Sequence, residues 1–193
     1  MFRAALEKEV MKKVDESLGA IARPARVHFI GGLQKYIGDM SLVFLPTVNS
    51  YRRFAPGTFA PPGLTWGYEN RTTCFRVVGH DAGSLRVENR LPGADTNPYL
   101  TAAATIAAGV AGILEQIEPQ AEVKGNGHAN PQEGADYARS MPEAIARLRG
   151  SDFARDWLGN RFVDAFSATR QSQHDQFAKK VPDVELQRFF DLG

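Results

Sequence analysis

The apolar positions divide the chain into three stretches with different periods. Through residues 1–26, Leu6, Val10, Val14, Leu18 and Ile21 recur at helical spacing with charged residues largely between them, which predicts an amphipathic helix. Gly19 and Pro24 mark its end. A short helix is expected over Val27–Ile37, and an apolar run, Ser41–Leu45, leads to Pro46. Between 56 and 63 five Pro and Gly residues break every period, but Phe54 and Phe59 lie in the same stretch, so it is expected to be an ordered loop. Three strand-like segments follow, Leu64–Tyr68, Thr72–Val78 and Leu85–Arg90, the last two joined by a hairpin-like turn at Gly79–Ser84.

From residue 97 onward the pattern is helical. Asn97–Pro98 is a start signal, because Asn accepts from free amides and Pro suits the first helical position. The helix is predicted from Tyr99 to about Ile117, and its many Ala and Gly residues suggest close packing on a neighbour. Residues 119–140 are polar and rich in Gly, Asn and Gln, as expected of a long surface loop. Helices are then predicted over Met141–Arg149, Asp152–Leu158 (capped by Ser151), Arg161–Lys180 and Val184–Leu192. The pattern indicates an α+β chain.

Composition narrows the function. With 23 basic and 22 acidic residues the net charge is +1, which gives no reason to expect nucleic acid or an anionic membrane as partner. A single cysteine, Cys74, excludes an internal disulfide. No apolar run approaches the roughly 20 residues that a membrane helix needs. The amino-terminus lacks the apolar core of a secretion signal, so the cytoplasm is the expected location.

The basic residues are unevenly used. Arg52, Arg53, Arg71, Arg76, Arg86 and Arg90 fall between 52 and 90, where there is no lysine. Guanidinium offers a planar fork of donors that matches carboxylate and phosphate oxygens in pairs. Arg86, Glu88 and Arg90 alternate, so on a strand they share one face. Spacing alone favours a structural ion-pair ladder over the wall of a site for a metal and an anionic substrate.

The local sequence shifts that balance. VNSYRRFAPG at 48–57, WGYENRTTCFRV at 66–77 and RVENRLPGADTNPYL at 86–100 resemble, in order and spacing, the catalytic domain of the glutamine synthetase family. SDFARDWLGNRFVDAF at 151–166 and the DVELQRFFDL ending are similar more loosely. The resemblance implies a partial catalytic domain over 27–193, preceded by the 1–26 helix of uncertain origin. Its fold would be the C-terminal half of a catalytic barrel, with a short antiparallel sheet, followed by a helical bundle.

The resemblance further implies a ligase that uses ATP to phosphorylate the glutamate side chain and an amine to displace phosphate. It places Arg53 and Arg90 on the glutamate substrate. Arg71 and Arg76 fall on the ATP phosphates and the transferred group, and Arg86 on the nucleotide side. Glu88 becomes a ligand to a divalent ion, Mg²⁺ or Mn²⁺. Arg52 is expected at the surface or behind the site, and Trp66 and Tyr68 in packing. Cys74 is expected to be buried, Asn97 to cap a helix, and His28, His80, His128 and His174 to lie outside the chemistry.

Two departures from the family pattern matter. Phe59 stands where ammonia-using members carry a glutamate, which leans toward the γ-glutamylpolyamine synthetase-like branch and an organic amine. Family enzymes are also more than twice as long, and this sequence has neither an E-x-E pair on a strand nor an NGSGxH-like loop; GNGH at 125–128 lies in the wrong place. The expectation is a portion that is inactive without the complementary N-terminal half, as a homo-oligomer or in association with that half. The competing reading is a non-catalytic homologue that binds nucleotide weakly or co-assembles with intact subunits.

Overall fold

The computed structural model describes residues 25–55, 57–79, 83–129 and 136–190. The expected 1–26 helix lies almost wholly outside them, as do the centre of the Gly79–Ser84 turn and the last residues of the expected final helix. Helix α1 occupies 25–36, followed by α2 (Ser41–Phe44) and a 3-10 turn over Ser50–Arg53. Strands β1 (Trp66–Tyr68), β2 (Phe75–Val78) and β3 (Arg86–Asn89) come next. Then follow α3 (Pro98–Leu114), α4 (Met141–Gly150), α5 (Asp152–Leu158), α6 (Asn160–Ala178) and α7 (Asp183–Phe189).

The helix starts follow from capping. The Asn97 side chain accepts from the amides of Tyr99 and Leu100, Ser140 accepts from Glu143 and Ser151 from Ala154. Each acceptor satisfies a donor that has no partner inside its own helix.

The three strands form one sheet in the order β1-β2-β3. β2 and β3 pair antiparallel, as the hairpin-like turn predicts, but β1 and β2 pair parallel, so the sheet is mixed and the expected all-antiparallel arrangement is corrected. A parallel pair normally needs a long crossover. Here β1 is only three residues long, so six residues suffice to carry the chain back alongside it.

Residues paired across strands point to the same side. Trp66, Phe75 and Asn89 share one face with Tyr68, Val77 and Val87; Gly67, Arg76 and Glu88 share the other with Val78 and Arg86. The first face is mostly apolar. Phe75 joins a core that includes Leu33, Ile37, Phe44, Leu91, Tyr137 and Leu148.

The small residues of α3 do what their spacing suggests. A Cβ on Gly32 of α1 would lie 2.1 Å from the Ala108 carbonyl oxygen, and one on Gly112 of α3 would lie 2.2 Å from that of His28. The two helices cross backbone to backbone, which only glycine allows. The burial is one-sided, since Tyr99, Ile106 and Leu114 of α3 are exposed. On the other flank α4 packs on α2 and α6, and α5 on α6. α7 has no buried residue.

Candidate active site

Four of the singled-out residues converge at the carboxyl end of β3. Arg76 on β2 donates from Nη1 to Glu88 Oε2 (3.2 Å), and Arg90, just past β3, donates from Nη1 to Glu88 Oε1 (2.9 Å). Glu88 therefore sits between two guanidiniums, one on each oxygen. Burial works against its charge, but the hydrogen bonds from Arg90 and Arg76 outweigh that and hold the carboxyl below the usual carboxylate range.

Arg53 reaches the same place from the 3-10 turn. Its Nη1 donates to the Pro92 carbonyl (2.8 Å), and its Nη2 to the carbonyls of Leu91 and Arg90. These bonds tie the SYRR turn to the loop after β3. The two segments are laced at a second point by Asp95, whose carboxylate accepts from the hydroxyls of Thr47 (2.7 Å) and Ser50 (2.6 Å). Burial pushes the Arg53 pKa down, with Asp95 acting in the opposite direction.

Arg53, Glu88 and Arg90 line a cleft of about 440 Å³ together with Thr58, Phe59, Ala60, Asn89 and Pro92. Phe59 is 79% exposed at its rim, and its carbonyl accepts from Arg90 Nη2 (3.3 Å). Cations beside an exposed aromatic ring suit an anionic substrate and an apolar group together.

The other two arginines stand apart. Arg71 is exposed in the turn after β1. Arg86 is exposed at the start of β3, donates to the Ser84 carbonyl (3.1 Å), and lines a separate, largely apolar cleft of about 580 Å³ with Phe29, Ile30, Trp66, Tyr68 and Val87. Trp66 donates its indole N–H to the Gln120 carbonyl (2.7 Å), and the Tyr68 hydroxyl donates to that of Gly79. Cys74 is fully buried, which pushes its thiol pKa up and fits an inert core residue. His28 approaches the Ile117 carbonyl (3.2 Å), and His128 is exposed.

One residue of the site escaped sequence reasoning. Glu69, in the ENR block, accepts from Arg76 Nη2 at 2.5 Å, so Arg76 is held by a carboxylate on each side. The side chain of Arg76 is only 15% exposed, and the hydrogen bond it donates to Glu69, with Glu88 adding to it against burial, raises its pKa. The signal available in the sequence was a carboxylate immediately before the Asn-Arg pair.

A divalent ion fits these residues poorly by themselves. Both oxygens of Glu88 are engaged by arginines, and among the described residues no group of three or more His, Cys, Asp or Glu side chains could hold a metal. Also among the described residues, no helix is long and apolar enough to cross a membrane.

Comparison with known proteins identifies the family. The profile of the glutamine synthetase catalytic domain matches residues 8–189, a range that takes in most of the 1–26 segment. The chain is 40% identical to gamma-glutamylethanolamide synthetase of Streptomyces coelicolor over 167 residues, which is 85% of this chain and 35% of that protein. It is 34% identical to glutamate–isopropylamine ligase of a Pseudomonas species over 178 residues, 92% of this chain and 39% of that protein. The solved structure of apo GmaS without ligand superposes with a TM-score of 0.75 at 29% identity, covering 87% of this chain and 38% of GmaS. The chain thus spans less than two fifths of the length of each of these relatives. From the ordered arginine blocks, the shared backbone and the profile match, the chain belongs to the glutamine synthetase family and corresponds to part of its catalytic domain.

Proposed function

We propose that these residues form the carboxy-terminal portion of an ATP-dependent ligase that joins an organic amine to the side-chain carboxylate of glutamate through a γ-glutamyl phosphate. The observation that carries the reading is the convergence of Arg53, Arg76 and Arg90 around Glu88, with Phe59 at the mouth of the same cleft. In this reading Arg53 and Arg90 hold glutamate, and Arg90 also fixes Glu88. Arg76, with Arg71, meets the phosphates and the group in transfer, where a preorganised guanidinium stabilises developing negative charge. Arg86 is assigned to the nucleotide side. Phe59 presents an apolar surface to the carbon skeleton of the amine, and the two amine-ligase relatives support an organic amine over ammonia.

Divalent ions would neutralise phosphate charge in such a reaction. Glu88 could contribute one oxygen only by exchanging a guanidinium for it, so the remaining ligands fall to residues outside the described set. That incompleteness favours a second reading, a non-catalytic homologue that binds nucleotide weakly or co-assembles with intact subunits.

Reconstitution decides between them. The chain is combined with an amino-terminal portion of the Streptomyces relative corresponding to the part this chain does not match, and ATP-dependent γ-glutamyl amide formation is measured with ammonia, ethanolamine and isopropylamine. Product that requires both pieces and is faster with an organic amine supports the ligase. Stable co-assembly with no product supports the second reading, and faster turnover with ammonia refutes the assignment of Phe59.

A further inference from the structure

Glu69 is the conspicuous backbone exception near the site. Its φ is +49°, in the left-handed region that side chains with a Cβ seldom adopt and that Gly and Asn enter more easily. Only Gln116 among the other described non-glycine residues shares a positive φ. The surrounding structure holds Glu69 there from several sides. Its N–H donates to the Val77 carbonyl (2.9 Å). The next residue, Asn70, donates to the carbonyls of Val123 (3.0 Å) and Gly125 (2.9 Å) and accepts from the Thr72 amide (2.9 Å). A turn so well anchored would form at least as easily with Asn or Gly at position 69.

Glutamate at this position does more than stabilise the turn. Its Oε1 accepts a long hydrogen bond from the Gly79 amide (3.4 Å), and its ion pair with Arg76 joins a side chain 35% exposed to one 15% exposed, so together these contacts add only modest stability. What Glu69 does is geometric. With Glu69 on Nη2 and Glu88 on Nη1, the Arg76 guanidinium is gripped at both ends and its plane is fixed. Guanidinium has five N–H donors. Two are used in these ion pairs, and the Nε donor is buried without a hydrogen-bond partner. Two Nη donors remain for an incoming anionic oxygen.

The geometry points to Glu69 as a positioning residue that holds Arg76 in the orientation needed for the phosphoryl group in transfer. The inference rests on the ligase reading above, which puts Arg76 on that group.

The test uses the reconstituted assembly described above, this chain with the amino-terminal portion of the Streptomyces relative, and compares wild type, Glu69→Asn, Glu69→Gln and Arg76→Ala. Glu69→Asn relieves the backbone while removing the grip. Its melting temperature should equal or exceed that of wild type, kcat should fall about tenfold or more, and the KM for glutamate should stay the same. Glu69→Gln keeps an acceptor for Arg76 and should recover part of kcat. A purely structural role predicts a lower melting temperature with all constants moving together, and that result overturns the inference. So does Glu69→Asn with kcat within twofold of wild type while Arg76→Ala is inactive, an outcome that leaves the ligase reading standing. Absence of ATP-dependent product from wild type removes the ligase reading and the inference with it.

Discussion

The two faces of the small sheet are built from the same three strands and differ in almost everything else. One face buries Phe75 in the core and carries Val77 and Val87, close to the glycine-lined crossing of α1 and α3. The other carries Arg76 and Glu88, joined past the strand end by Arg90, with the two arginines largely buried and the half-exposed carboxylate shared between them. The apolar face holds the fold together through burial, and the ionic face uses that rigidity to place guanidiniums. Damage to the first should cost stability, and damage to the second should cost function with little change in stability.

The largest effect is expected from Phe75→Ala. It removes a fully buried aromatic ring and should destabilise the chain by about 3–5 kcal/mol, read from the urea midpoint. Gly112→Ala attacks the helix crossing beneath that face. Its methyl group would meet backbone rather than a flexible side chain, and a loss of about 1–3 kcal/mol is expected in the same assay. A neutral result at either position would show that the apolar face does not carry the fold.

Arg90→Ala crosses to the ionic face. Glu88 is 40% exposed, so removing one of its two partners should cost no more than about 1 kcal/mol. In the proposed ligase, reconstituted as above, glutamate turnover should nevertheless become undetectable. Destabilisation comparable to that of Phe75→Ala would erase the distinction between the faces.

The smallest effect is a pH dependence. The folded carboxyl of Glu88 lies below its unfolded value, so its contribution is present above roughly pH 4.3, the ordinary glutamate value, and is lost as pH falls through the lower folded value. The difference in melting temperature between wild type and Glu88→Gln should therefore shrink as pH drops below about 4. A difference that is constant with pH would mean that the guanidiniums do not stabilise the charged form.

Much of this arrangement was legible in local residues. Asn97–Pro98 and Ser151 gave helix starts because capping depends on a few adjacent atoms. The alternation of Arg86 and Glu88 gave their shared face, since side chains on a strand alternate strictly. The direction of β1 was not legible, because a three-residue strand can be followed by a link that leads either way. Nor was the separation of Arg86 from the Arg76–Glu88–Arg90 group. Sharing a face does not place side chains together, and Arg86 lies at the opposite end of β3 from Arg90.

The sequence by itself determined the family, through three ordered blocks, and it determined which residue types face which side of each element, through periodicity and capping. The tertiary structure alone decided which charges meet. Arg53 reaches the carbonyls after β3 from 37 to 39 positions away, and Glu69 meets Arg76 from a left-handed backbone position beside bonds from its own amide to Val77 and from Asn70 to Val123 and Gly125. Such contacts depend on where the packed core brings distant segments, and no local pattern encodes that distance.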